Sequence, residues 1–267
     1  MLFVFFMLGK RMGGWWAGML AVLIAGQFPE YFIFSMSGLE TTWLGGLLAL
    51  SFYAVYFQKP RKIVYPLLAA LAFSKHNYHI LAYWLAAAET WLALRKEDAN
   101  PRLVFRDVAV YFLLPTLGFL LFCYLYFGNV IPNSLYAKLF FHPSVRGQFP
   151  YLDYFFHSLY SYPFIASLVP ICIHAIVSGV TRNTGSARYW VLLIAAGVLM
   201  AQVLQLPKVE IHSWYFVNPV LAFQILSLLA VLELIQRKKS HARRAAVIAL
   251  VALLLLHSSF DVVRIDD

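Results

Sequence analysis

The sequence predicts an all-α fold: a polytopic transmembrane helical bundle of about 9–10 membrane segments, with one extracytoplasmic interfacial loop and helix region. Three observations predict it. Hydrophobic residues make up 62% of the 267 and charged residues only 12%, with a mean hydropathy of +0.72, far from the averages of soluble domains. Apolar runs recur at about 1–9, 14–27, 42–57, 63–73, 80–94, 107–126, 162–180, 189–205, 214–235 and 245–259, several of them near the ~20 residues that span a bilayer. Finally, the basic residues sort to one side once the chain is made to alternate sides at each run.

That sorting sets the topology. The connections at 9–13, 58–62, 95–106, 181–188 and 236–244 fall on one side and hold 16 of the 21 Lys and Arg. The other side keeps Lys75, Lys138, Arg146, Lys208 and Arg264, together with seven of the twelve carboxylates and five of the eight histidines. Lys and Arg concentrate in cytoplasmic loops, so the basic side is assigned to the cytoplasm and any chemistry to the extracytoplasmic face. The same rule accounts for the formal charge of +9 without nucleic acid as a partner.

The chain reads as a single transmembrane domain over 1–267, without internal repeat or disordered linker. Cys123 and Cys172 sit in apolar runs, where a thiol behaves as a small hydrophobe, and they form no redox or metal framework. The apolar start has no basic region before it and no small-residue cleavage site after it, unlike a signal peptide. It reads as the tail of a spanning helix, shortened at its start.

Its one long polar excursion, the extracytoplasmic loop 127–161, opens within Tyr126-Phe-Gly-Asn-Val-Ile-Pro-Asn133-Ser-Leu-Tyr-Ala-Lys138. So many polar groups cannot lie in hydrocarbon unsatisfied, so the loop belongs at the membrane surface. Pro132 is expected to break the preceding helix, and Asn133 with Ser134 to cap a short interfacial one. Asn129, Asn133 and Lys138 are the candidate binding groups. A cation on the face that otherwise avoids cations suits a lipid phosphate, whereas most of the following aromatics suit interfacial anchoring.

Two further outer stretches carry chemistry. In Ser37-Gly38-Leu39-Glu40-Thr41, Glu40 stands at a helix N-terminus, where a carboxylate is favoured by the dipole; a capping role and a site role are both open. In Lys208-Val-Glu210-Ile-His212-Ser-Trp-Tyr215, a base, an acid and an imidazole share one short loop. His76 and His79 have a His-x-x-His spacing, but no second cluster matches it, so no metal is expected. Glu89 and Glu233 lie near the inner ends of their helices and are expected to pair with Lys or Arg there. The chain has no phosphate-binding glycine loop and no nucleophile elbow.

The Gly38-Leu39-Glu40 element, the Pro132-Asn133 to Lys138 element and the late-helix opening His212-Ser-Trp-Tyr215-Phe-Val-Asn-Pro219 occur in an order that resembles bacterial glycosyltransferases of the GT-C superfamily. The branch resembled is that of the terminal arabinofuranosyltransferases, over about 10–235 of this chain. The resemblance implies a bacterial cytoplasmic membrane location, cell-envelope biogenesis and an extracytoplasmic active face. It also implies a polyprenyl-phosphate sugar donor, a glycan or lipid acceptor, inversion, and no cofactor. On this chain it puts Glu40 and Glu210 forward as catalytic carboxylates. Asn129, Asn133, Lys138, His212 and Tyr215 become the substrate-binding groups.

The sequence departs from the family pattern at His212, where relatives usually have Arg, and at Ser74-Lys75-His76-Asn77, where they tend to have Arg-Pro-Glu-Gly. The outer acidic loop that usually supplies the base would precede Met1, so the expectation is either a fragment or degenerate member of the family, or a base supplied by Glu30, Glu40 or Glu210. The alternative reading is a non-catalytic membrane protein that binds polyprenyl-phosphate or glycolipid, or scaffolds a cell-envelope complex. A secondary transporter would need repeated halves or midplane charges, and the sequence has neither.

Overall fold

The computed structural model describes residues 2–26, 40–74, 77–97, 99–129, 161–180, 187–204 and 214–236. Among these residues the chain is helical, without strands: α1 (Leu2–Gly26), α2 (Glu40–Tyr56), α3 (Arg61–Ser74), α4 (Asn77–Leu94), α5 (Pro101–Phe127), α6 (Ser161–Val180), α7 (Ala187–Leu204) and α8 (Trp214–Gln236). Three stretches are long and apolar enough to cross a bilayer: Pro101–Phe127, Ala187–Leu204 and Phe216–Gln236. Two shorter apolar helices, Trp43–Tyr56 and Phe164–Gly179, accompany them. With 14 residues, α3 reaches only about 21 Å at 1.5 Å per residue, short of the ~30 Å hydrocarbon thickness. The expected segment at 245–259 lies outside the described residues.

The stretch α1 is a hairpin. A Cβ built on Gly9 would fall 2.8 Å from the Ala21 Cβ, and one on Gly18 would fall 2.9 Å from the Phe6 ring. Residues twelve apart on a straight helix are separated by about 18 Å, so the chain must double back. Gly14, at φ 79°, supplies the left-handed turn that only glycine adopts without cost. The two apolar runs and the glycine-rich connection of the sequence thus become two short antiparallel arms.

α8 is the hub, packed against α6, α7, α2 and α1. Its Phe216–Gln236 window is 94% buried. α4 packs on α3 and α7, and α5 lies at the edge against α3 and α4. The long α5 window is only 11% buried. Leu114, Leu117, Leu121 and Leu125, at helical spacing along it, are all exposed, with Phe122 and Tyr126 beside them.

Local sequence explains the course of α5. Asn100 caps its start, the side chain accepting from the Arg102 and Leu103 amides, and Pro101 occupies the first turn, where its missing N–H is harmless. Pro115 stands in the interior, where it cannot donate to the carbonyl four residues earlier. The helix widens into a π turn at Ala109–Leu113 immediately before it, with the Leu114 amide donating to the Ala109 carbonyl. α5 ends at Gly128, in the left-handed conformation at φ 72° with its amide donating to the Tyr124 carbonyl. This glycine cap stops the helix four residues before Pro132, the residue expected to break it.

Candidate functional site

Helix direction decides which candidate residues share an end of the bundle. α2 and α8 run parallel: near their starts, a Cβ on Gly45 would meet Asn218 and Leu221. Near their ends the Tyr56 hydroxyl donates to Glu233 Oε1 at 3.0 Å. Glu40, the first residue of α2, and Tyr215, the second of α8, therefore stand at one end. α3 returns from the other end after the turn at 57–60, and α5 runs parallel to it. The Arg61–Asp107 ion pair, at 3.3 Å, joins their starts, and the Phe73 and Phe119 rings, 4.8 Å apart, join their later turns. Asn129, half-buried just past the α5 cap, thus returns to the end of Glu40 and Tyr215. Asn133, Lys138, Glu210 and His212 lie outside the described residues, as do Glu30 and His76.

The opposite end holds a buried polar cluster. Glu89, one turn before the end of α4, meets Arg188, the second residue of α7. Arg188 Nη2 donates to Glu89 Oε1 at 3.0 Å and its Nε to Oε2 at 3.3 Å. Both carboxylate oxygens are thus engaged, with 10% and 5% of the two side chains exposed. This is the basic partner expected for Glu89.

Among the described residues, Glu233 meets a histidine and a tyrosine. Its Oε2 lies 2.8 Å from His174 Nε2, and its Oε1 accepts from Tyr56. Its described partners thus come from α6 and α2. One carboxylate thereby ties α2, α6 and α8 together. The His174 ring also packs 4.5 Å from the Tyr189 ring of α7.

Sequence reasoning passed over His174, Arg188 and Asp107. The signal was present in the first two: each is a lone polar residue inside or at the lip of an apolar run, and a buried charge requires a partner. Which partner it takes depends on helix neighbours far away in the chain. Asp107, buried on α5, is shared between Arg61 and Arg106, in a part of the sequence that reads as an ordinary basic connection.

Comparisons with protein-family profiles, with curated proteins and with solved structures return no match.

Proposed function

We propose that the chain is a multi-pass membrane glycosyltransferase of the GT-C kind, transferring a sugar from a polyprenyl-phosphate donor to an extracytoplasmic glycan or lipid acceptor with inversion. The observation that carries this reading is the common end of Glu40, Asn129 and Tyr215. The stretches bearing Asn133 and Lys138, and Glu210 and His212, join described helices at that same end, because α5 and α7 finish there and α6 and α8 begin there. The exposed leucine stripe of α5 supports a bilayer surround, since so long an apolar face is unfavourable in water and natural against acyl chains.

The chemistry asks little of the protein beyond charge placement. A lipid phosphate leaves readily once its charge is neutralised, which Lys138 and the amides of Asn129 and Asn133 are suited to do. Inversion needs one carboxylate at the acceptor hydroxyl, a role open to Glu40 or Glu210. His212 and Tyr215 complete the contacts to donor or acceptor. The bacterial cytoplasmic membrane, with the active face outward, is the setting that this reading requires.

The test is transfer of labelled sugar from a polyprenyl-phosphate donor in membranes containing the chain. Loss of a general base lowers rate by about 10²-fold or more, so Glu40→Gln or Glu210→Gln should do so, and Lys138→Gln should weaken donor use. Transfer unchanged in all three variants would overturn the assignment. Donor binding that depends on Lys138, without transfer in any chain, would favour the non-catalytic polyprenyl-phosphate binder.

A further inference from the structure

The connections at the basic end line a half-open cavity of about 340 Å³, formed by residues of the α2–α3 turn, the end of α4 and the start of α5. That volume lies in the range of small-molecule sites. Its charged lining is Lys59, Arg61, Lys96 and Glu89. Glu89 is neutralised from behind by Arg188, and Arg61 is paired with Asp107, which also holds Arg106. Lys59 and Lys96 have no carboxylate within ion-pair distance among the described residues. Lys59 lies 5.7 Å over the Tyr53 ring, and Lys96 donates to the Gln58 side-chain oxygen at 3.3 Å. The cavity therefore faces two ammonium groups that no described carboxylate answers.

The backbone beside it is unusual. α2 ends with the Lys59 amide donating to the Ala54 carbonyl and the Gln58 amide to the Val55 carbonyl, a pairing that places the residue between helix and turn in the left-handed region. Glycine ordinarily fills that position; here it is Gln58, at φ 51°, a conformation costly to a residue with a Cβ. Strained positions cluster where a side chain is needed, and the Gln58 side chain lines the cavity and holds Lys96. Pro60, which precedes α3, has no side-chain acceptor to offer that helix's first amides, whereas Asn100 does so for α5. The α3 N-terminus thus adds positive potential at the same wall.

We propose that this cavity binds a phosphate ester, held by Lys59 and Lys96 and oriented by Gln58. The site is independent of the glycosyl-transfer reading and lies at the opposite end of the bundle. Its ligand is either the headgroup of an anionic lipid, which a basic pocket at a membrane surface suits, or a soluble phosphate.

Two arms of one experiment distinguish the sources. In the first, the full chain is purified and its retention of phosphatidylglycerol against phosphatidylcholine is read by native mass spectrometry. Preferential phosphatidylglycerol adducts are expected, weakened roughly fivefold for each of Lys59→Gln and Lys96→Gln, the effect of one Lys near an anionic surface. Lys62→Gln, exposed and outside the lining, should leave retention unchanged. In the second arm, inorganic phosphate is titrated against the melting temperature of the same chains. A rise that Lys59→Gln and Lys96→Gln abolish, without lipid preference, makes the ligand a soluble phosphate.

Gln58→Gly separates binding from folding. It relieves the backbone and so should hold or raise the melting temperature, while retention falls because Lys96 loses its tether. The proposal is overturned if neither arm responds to the two lysine variants, or if Lys62→Gln costs as much as they do.

Discussion

Removing the Arg188 side chain should unfold the bundle well before removing its most exposed counterpart does. Arg188 and Glu89 bury all but 10% and 5% of their side chains and make two contacts at 3.0 and 3.3 Å. Arg188→Ala would leave the Glu89 carboxylate buried without its cation, a change that costs about 3–5 kcal/mol. By contrast, Arg106 exposes 64% of its side chain beside Asp107, and such a pair contributes only about 0–1 kcal/mol. At about 2–4 °C per kcal/mol for a large domain, Arg188→Ala should lower the apparent melting temperature in detergent by at least about 6 °C. Arg106→Ala should shift it by less than about 4 °C on the same scale.

The double replacement Glu89→Leu with Arg188→Met decides whether the penalty is desolvation rather than lost attraction. Filling the space of a buried pair with apolar groups is often neutral or stabilising, so the double variant should recover most of the stability lost in Arg188→Ala. The reasoning fails if Arg188→Ala melts within about 2 °C of the parent, which corresponds to under ~1 kcal/mol. It also fails if the double variant melts as low as Arg188→Ala. The first result would mean that the pair is not closed, and the second that its net attraction matters more than its desolvation.

Further outcomes are expected in the same melting assay. Gly14→Ala should cost about 1–2 kcal/mol through its left-handed backbone, and Gly9→Ala about 1–3 kcal/mol through overpacking, because its Cβ would clash with the Ala17 backbone. Gly118→Ala, with nothing within 4 Å of its added Cβ, should be neutral or slightly stabilising. Gly45→Ala brings a methyl 2.9 Å from Asn218 Oδ1 and 3.1 Å from a Leu221 methyl. The first neighbour ends a side chain that can turn, so the cost should be about 1 kcal/mol, the low end of overpacking, and Gly45→Leu should cost more. Tyr56→Phe deletes the hydroxyl that donates to Glu233 at 3.0 Å. It should cost about 1 kcal/mol, between the ~0.6 average for polar contacts in membrane bundles and the ~1.5–3 of hydrogen bonds to charged groups.

Helix punctuation was legible in the sequence only where the local signal was unambiguous. The Gly9–Gly13 connection marked a reversal, and the fold of α1 at Gly14 follows from glycine's freedom alone. At the end of α5 two signals competed, Gly128 and Pro132, and the helix stops at the first. A left-handed glycine cap satisfies a terminal carbonyl at once, leaving the later proline no helix to break. The widening at Ala109–Leu113 reflects Pro115, which the sequence displays plainly but does not by itself assign to a kink or a π turn. Of the candidate outer residues, the ends of α2, α5 and α8 bring Glu40, Asn129 and Tyr215 to one end of the bundle; Asn133, Lys138, Glu210 and His212 fall on stretches beyond the described helices.

What the sequence alone determined is the all-helical class, the alternating direction of the described helices and the sorting of basic residues to one set of connections. These follow from apolar run length and charge sorting, which act locally and need no knowledge of neighbours. Only the tertiary structure decided that α8 is the buried hub and α5 the exposed edge, although both contain spanning-length windows that are predominantly apolar. Acyl chains are as apolar as leucine, so hydropathy cannot tell a helix that faces lipid from one that faces protein. It also decided the partners of Glu89 and Glu233 and formed the cavity beside Lys59 and Lys96, because those contacts join α2, α4, α6, α7 and α8 across long stretches of chain. A buried charge announces that it needs a partner, but which one it finds depends on how the helices pack.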